Sequence, residues 1–466
     1  MEKAKNLKKY RKVKDTMGTV EVLSDALYAA QTQRAIENFP ISGIPFNKNF
    51  ISAIVIIKRS AAIVNYKLKL VNKSRRDAIV KASDQLIKEN MEDQFPVDIF
   101  QTGSGTSTNM NVNEVLANLA NNFIKDNKNY IHPNDHVNMG QSSNDVIPTA
   151  IHISSLLMIE NKLLPALNKL SIDLFNKSKE YNKILKIGRT HLQDATPMTL
   201  GQEFSGYYQT IANNLKQINS SKKILLYLPQ GGTAVGTGIN TDKNFGRLIA
   251  KEISKATKIN FKECENHFEA QSSQNGAVQF SGTLKTLAVG YHKIANDIRW
   301  LGSGPRSGLG ELTIPPVQPG SSIMPGKVNP VICESAIQVC CQVIANDSAI
   351  TLGGLGSIFE LNLMLPLIAH NMLFSIEILS NSIDVFCDKL LDNLKPNIEQ
   401  CENYIEGSLA MSTSLVPVIG YDKATEIAYE AYKKNKTIRE ILKSKNILSD
   451  DQVDKLLNAN LMIKPK

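Results

Sequence analysis

The chain has 466 residues, a formal net charge of +9, and 42% hydrophobic against 21% charged residues. That is enough for two or three domains with a large core and describes an ordinary globular composition. No run of about 18 uncharged apolar residues occurs, so no membrane-spanning helix is expected. Six cysteines (Cys264, Cys333, Cys340, Cys341, Cys387, Cys401) form no CxxC pair, which argues for a reducing compartment and against a disulfide or metal framework. The lysines are scattered and carry no zinc, RGG or RNA-recognition signature, so nucleic acid is not an expected partner.

In chain order, Met1 to Lys14 is basic and lacks the apolar segment of a secretory signal; it reads as a short basic arm ahead of the fold. Residues 16 to 100 read as helices broken by polar and Pro/Gly punctuation around Pro40 to Pro45. Ile51, Ile54, Ile57, Ala61 and Val64 recur at three- and four-residue spacing, an amphipathic helix.

The first stretch carrying chemistry is QTGSGTSTNMNVNE, Gln101 to Glu114. Gly103 and Gly105 lack the third glycine of a dinucleotide turn. The short hydroxyls of Ser104 and Thr106, followed by a helical run, suit a helix N-terminus where free N–H groups bind anions. Next come His132, Pro133, Asn134, Asp135 and His136. Two histidines four apart invite a zinc reading, but Pro133 and Asn134 argue against the helix that would align them, so no metal is expected. Gln141 to Asp145, with Ser142, Ser143 and Asn144, is again hydroxyl-rich and opens a long helical pattern.

That pattern, from about Asp145 to Leu185, would span about 60 Å, with a kink expected at Pro165. Helical runs follow around Phe204 to Ile218 and Val331 to Ile350, the latter apolar almost all round. Two seams are regular: Phe280, Leu284, Leu287, Tyr291, Ile294, Ile298, Leu301, and Leu361, Leu365, Ile368, Met372, Ile376, Leu379, Ile383, Phe386, Leu390. Seams this long find partner helices, within the chain or in other subunits. The expected fold is therefore all-α (mainly α), a long central five-helix bundle flanked by smaller helical domains. The expected boundaries are 1–142, 143–394 and 395–466.

Between the helices lie polar linkers. Gly188 to Pro197 (GRTHLQDATP) holds Thr190 and His191; Gly231 to Thr241 reads GGTAVGTGINT. The most loaded linker is Gly320 to Pro330, GSSIMPGKVNP, whose two glycines and two prolines forbid regular structure. It presents Ser321, Ser322, Lys327 and Asn329, a cradle for an anion or a plain surface loop. It is not a nucleotide-phosphate loop: its glycines enclose five residues rather than four, and Val328 stands where Ser or Thr would hold magnesium. Glu334, seven residues beyond Lys327, suits either the helix dipole or the orientation of a histidine.

Taken together, QTGSGTSTNMN, HPNDHVNMGQSSNDVIPTA, GRTHLQDATPMTLGQE and GSSIMPGKVNP resemble the class II fumarases (fumarate hydratases), with GGTAVGTGINT and RSGLGEL in agreement. The resemblance covers nearly the whole chain. The last loop alone marks only the wider fumarase/aspartase superfamily. Aspartases look like GRTQLQDA and AGAGT where this chain has His191 and TGSGT, which leaves aspartate ammonia-lyase as the alternative. A non-catalytic helical scaffold binding polyanions is the reading from a different class.

The resemblance implies a homotetramer with a 20-helix core and active sites shared by three subunits. It also implies reversible trans-addition of water to fumarate giving (S)-malate, with no cofactor and no metal. It implies Ser321 as the base at carbon 3, and His191 paired with Glu334 for the water or leaving hydroxyl. Ser104, Gly105, Thr106, Ser142, Ser143, Asn144, Thr190, Ser322, Lys327, Val328 and Asn329 are implied to hold the two carboxylates. His132, Pro133, Asn134 and Asp135 match the family's second dicarboxylate site. A known member of the family carries an arginine three residues before that histidine; Asn129 stands there in this chain, and a weakened second site is expected. The implied partners are small dicarboxylates, with no nucleic acid and no membrane. The compartment is expected to be cytoplasmic, or the mitochondrial matrix in a eukaryote.

Overall fold

The computed structural model describes residues 9–89, 91–124 and 127–465. The basic segment read as an arm lies partly outside these residues, and from Tyr10 on it forms a strand. Tyr10–Asp15 (β1) pairs antiparallel with Gly18–Leu23 (β2). Charged side chains on the outward positions disguise the alternation, and Arg34 closes the hairpin onto Asp15 at 2.8 Å.

The helices follow in order. The first four are α1 (Ala30–Asn38), α2 (Lys48–Lys67), α3 (Lys73–Lys88) and α4 (Thr106–Asn121). Then come α5 (Ser143–Met158), α6 (Leu164–Glu180), α7 (Leu200–Ser221), α8 (Phe245–Thr257) and α9 (His267–Ser272). The longest are α10 (Asn275–Leu301), α11 (Val331–Gly354) and α12 (Leu365–Lys389). The chain ends with α13 (Ile398–Gly407), α14 (Val416–Ile419), α15 (Tyr421–Lys434), α16 (Ile438–Lys445) and α17 (Asp450–Leu456). Strands are few, and the fold is mainly α. The main later pair is β3 (Leu185–Thr190) against β4 (Gln193–Thr199), a hairpin where the sequence suggested only a linker.

The chain divides into two compact units. The first comprises Met1–Leu164, Gln217–Thr286 and Gln342–Leu379. Here α2 packs on α3, α5 and α8, and its seam of Ile51, Ile54, Ile57, Ala61 and Val64 is buried. Asn47 and Asn72 start α2 and α3 by accepting the N–H of Phe50 and Arg75, supplying the first-turn partners a helix lacks.

The second unit comprises Pro165–Lys216, Leu287–Cys341 and Ser380–Lys466. Its C-terminal helices share one apolar cluster, in which Met411, Leu415, Ile427, Ile438, Leu442 and Val453 pack with Ile187 of β3. Tyr291 and Phe386 meet edge-on at 5.3 Å.

The expected seams are buried. Phe280 through Leu301 on α10, and Leu365 through Leu390 on and just past α12, are 4% exposed or less. Leu361 falls outside the helix, in a two-residue strand. The expected kink is a wide turn at Ile159–Leu163. Pro165 has no N–H, and its ring crowds the carbonyl of Asn161, so the ladder loosens there. On α11, Ser335, Gln338, Cys341, Ala345, Ser348 and Leu352 stay exposed, although the helix was expected to be buried nearly all round. One chain covers only part of its circumference.

Candidate active site

In the first unit, the 101–108 loop is built around its own hydroxyls. Thr102 Oγ1 accepts the Ser107 N–H at 3.1 Å and Gln101 Oε1 accepts that of Thr108 at 2.9 Å, which caps the first turn of α4. Gly105, at φ +72, supplies the left-handed entry and no side-chain cap. Ser104 and Thr106 are thus not needed for capping. Their hydroxyls lie 2.7 Å apart and are half-buried.

Ser142 caps α5 in a capping box with Asp145: its hydroxyl accepts the Asn144 N–H, and Asp145 Oδ1 accepts the Ser142 N–H at 2.8 Å. Ser143 Oγ accepts from Asn109 Nδ2 at 3.2 Å. Asn144 donates to Ala234 O at 2.7 Å. Asp145 Oδ2 collects Gln230 Nε2, Gly231 N and Thr233 N at 2.9, 3.1 and 3.0 Å. The GGTAVGTG segment is therefore tied beneath the start of α5. Burial pushes the Asp145 carboxyl up to about 6.

Lys58 is a residue the sequence reading passed over. It is fully buried on α2 and donates to Asn138 Oδ1 at 2.8 Å, an oxygen that Asn109 and Asn113 also approach. Burial lowers its ammonium to about 7. The signal was available: Lys58 stands four residues after Ile54 and three before Ala61, a core position of the α2 seam.

In the second unit, Thr190 and His191 are exposed at the tip of the β3–β4 hairpin. The connection is the two residues His191 and Leu192, at φ 55 and 59. Two positive φ angles make this the turn type that matches strand twist, normally filled by Asn-Gly. A non-glycine residue there carries strain of about 1–2 kcal/mol.

The Gly320–Pro330 loop closes on itself. Gly320 N donates to Lys327 O at 2.9 Å and Asn329 Nδ2 donates to Gly320 O at 2.6 Å. A Cβ on Gly320 would lie 2.3 Å from Lys327 O, so only glycine fits. Ser321 Oγ accepts two backbone N–H groups, Ile323 at 3.2 Å and Met324 at 3.0 Å. Donors aimed at one hydroxyl oxygen favour negative charge on it. Ser322, Lys327 and Val328 are exposed, and the Lys327 ammonium has no ion-pair partner among the described residues. Glu334 lies half-buried in the first turn of α11. Among the described residues of one chain, no hydrogen bond or ion pair joins His191 to Ser321 or to Glu334.

His132 starts a short wide turn, Pro133–Val137. Proline is tolerated at the first helical position, so a turn forms where the sequence argued against one. The imidazole Nδ1 of His132 accepts the Asn134 and Asp135 N–H groups at 3.3 and 3.2 Å. That nitrogen is therefore occupied. Asn134 and Asp135 are exposed. Asn129 Oδ1 accepts from Asn72 at 2.9 Å.

A helical scaffold carries anion-ready loops at its helix ends, and the class comes from comparison: a family described as Lyase matches residues 18–345. A second, described as Fumarase C C-terminus, matches residues 411–464. A Fumarate hydratase class II of Wigglesworthia glossinidia brevipalpis is 48% identical over 453 residues, 97% of this chain and 98% of its own. One from Rickettsia felis is 47% identical over 460 residues, 98% and 100%. Among solved structures, the class II fumarase of Schistosoma mansoni superposes with a TM-score of 0.94 at 38% identity, covering 97% of this chain and 99% of that one. The chain belongs to the class II fumarate hydratase family.

Proposed function

We propose that the chain is a fumarate hydratase, a metal-independent hydro-lyase that adds water to fumarate and removes it from (S)-malate. The reading rests above all on one feature of the Gly320–Pro330 loop: a hydroxyl held by two backbone donors in the same loop that carries an exposed ammonium. In dehydration, the Ser321 alkoxide takes the proton from carbon 3 of malate. The electron pair moves onto the neighbouring carboxylate as an aci-form, whose doubly charged oxygens need donors. Lys327 supplies an ammonium, and Asn329 a second amide N–H beyond the one given to Gly320. The pair then returns to form the double bond, and the hydroxyl at carbon 2 leaves as water with a proton from His191, which Glu334 orients.

The carboxylates are held by Ser104, Gly105 and Thr106 at the start of α4, Ser142, Ser143 and Asn144 at the start of α5, and Thr190, Ser322 and Val328. The helix N-termini favour a dianion. An imidazole that can exchange a proton with water suits hydration better than loss of an amine, which disfavours aspartate as substrate.

These groups come together in a homotetramer, with the α4 and α5 loops, the His191 hairpin and the Ser321 loop drawn from three subunits. Support comes from α11, apolar in composition yet exposed along one face, and from His191, which has no partner in its own chain among the described residues. Along the sequence we read three domains, 1–142, 143–394 and 395–466, the middle one contributing segments to both compact units. The second dicarboxylate site, His132 to Asp135, binds weakly because Asn129 brings no charge. No helix among the described residues is long and apolar enough to cross a membrane; the compartment is the cytoplasm, or the matrix in a eukaryote.

The test is direct. Purified protein converts malate to fumarate, read as rising ultraviolet absorbance, with chelator present and no added iron, and leaves aspartate untouched. His191→Asn lowers turnover by about 10²- to 10⁴-fold with the fold retained. Activity on aspartate but not malate would refute the assignment.

A further inference from the structure

We infer that Glu311 is a positioning residue for the reaction: through Arg189 it holds the strained His191–Leu192 turn in its working place. The inference rests on the role given to His191 above. The β3–β4 ladder does not fix the tip unaided. Its register runs Leu185↔Thr199 to Ile187↔Pro197, then shifts between Ile187 and Arg189 before Arg189↔Asp194 and Thr190↔Gln193. Such an irregularity frees the tip from the ladder behind it.

Arg189 is the residue between that break and Thr190. Its guanidinium grips the Glu311 carboxylate with both nitrogens, Nη1 to Oε2 at 2.8 Å and Nη2 to Oε1 at 2.9 Å. The Glu311 side chain is fully buried. Its backbone is anchored on both sides: the N–H donates to Leu301 O at 2.9 Å, and the carbonyl accepts from Asn397 N at 2.8 Å. Lys186, 1% exposed, approaches Glu311 at 3.4 Å and Glu203 at 2.8 Å, so two cations and two carboxylates balance. The Tyr404 ring lies 5.6 Å from the Arg189 guanidinium.

Stability alone does not account for this cluster. A buried ion pair is often no more stabilising than well-packed apolar residues of the same volume, because desolvation offsets attraction. What the planar, two-pronged pair supplies is direction. It acts two residues before an imidazole whose backbone relaxes unless held.

Glu311→Gln tests this on the whole oligomer. It keeps the shape and one acceptor but breaks the two-pronged grip. The expected result is a kcat lowered at least about tenfold with KM for malate moved less than about threefold, since a displacement near 1 Å at a reacting group costs up to about 10². Thr190 moves with the tip, but the carboxylate contacts on the α4, α5 and Gly320–Pro330 loops are untouched, so KM moves far less than kcat, where a general loosening would move both. Adding Leu192→Gly, which removes part of the strain, restores a share of that kcat.

Should Glu311→Gln fail to fold, Arg189→Lys decides: it keeps a cation beside Glu311 but cannot grip both oxygens, and the same kcat loss is expected. A folded variant with kcat within twofold of the parent overturns the inference, as does a loss fully explained by a smaller folded fraction. His191→Asn run alongside separates the cases. If it is inactive while Glu311→Gln is normal, only the positioning role fails; if it keeps its rate, the role of His191 fails first.

Discussion

Gly103→Ala adds one methyl group where there is no room for it. A Cβ built there would lie 2.0 Å from Leu363 O, 2.7 Å from its carbonyl carbon and 2.9 Å from its Cα. All three are backbone atoms, so no side chain can swing aside. The opposing segment is itself pinned: Leu363 N donates to Gly356 O and Leu365 N to Gly103 O, both at 3.0 Å, and Asn362 is fully buried.

The 102–105 loop must therefore retreat by more than an ångström. Overpacking of this kind costs about 1–3 kcal/mol, and the strained Leu365–Gly103 hydrogen bond adds about 1 kcal/mol. A destabilisation of about 2–4 kcal/mol follows, read as a lower urea midpoint at constant slope. Ser104 and Thr106 move with the loop. Losing one hydrogen bond to a charged carboxylate costs about 1.5–3 kcal/mol, which raises KM for malate about 10- to 100-fold. Ser104→Ala, which removes a hydroxyl without a clash, raises KM and leaves the midpoint alone. A Gly103→Ala protein with parental midpoint and KM would show that the loop is neither tightly packed nor in contact with substrate.

Two further outcomes are expected. Leu192→Gly in the otherwise unaltered chain places the residue best suited to a left-handed φ at a position now held at 59°. It stabilises by about 0.5–1 kcal/mol after its own entropy cost, measured as a higher thermal midpoint; a lowered midpoint contradicts the strain. Lys58 makes stability depend on pH. Its ammonium is lowered from 10.5 to about 7 in the fold, so between those values the unfolded chain holds a proton that the folded one lacks. Stability therefore rises with pH across that window and carries a constant penalty below it. Asp145, raised from 3.8 to about 6, acts oppositely, and stability falls as pH rises between those values. Urea unfolding of Lys58→Met at neutral and alkaline pH loses the rise above 7; an unchanged slope removes Lys58 as its source.

The helices were legible because burial imposes a period on them. The α10 seam is apolar at every third or fourth residue, and every member is buried. The β3–β4 hairpin was not legible, since Arg189, His191 and Asp194 break any alternation and its turn lacks the Asn-Gly that usually announces one. The Arg189–Glu311 pair joins residues 122 apart, a separation with no local signature. The hydroxyl-rich loops were read as sites, yet part of their chemistry is structural: Thr102 and Gln101 cap α4, and Asp145 ties a neighbouring loop. Composition could not separate those roles; hydrogen-bond partners could.

The central claim is that His191 of one subunit works opposite Ser321 of another. Mixing His191→Asn and Ser321→Ala subunits, each inactive alone, tests it most directly. In tetramers assembled at random from equal amounts, about a quarter of the sites draw both intact residues from different chains. The expected result is recovery of about a quarter of the parental malate-to-fumarate rate. Mixed tetramers that assemble and stay as inactive as either parent would contradict it, because the two residues would then belong to one chain's site.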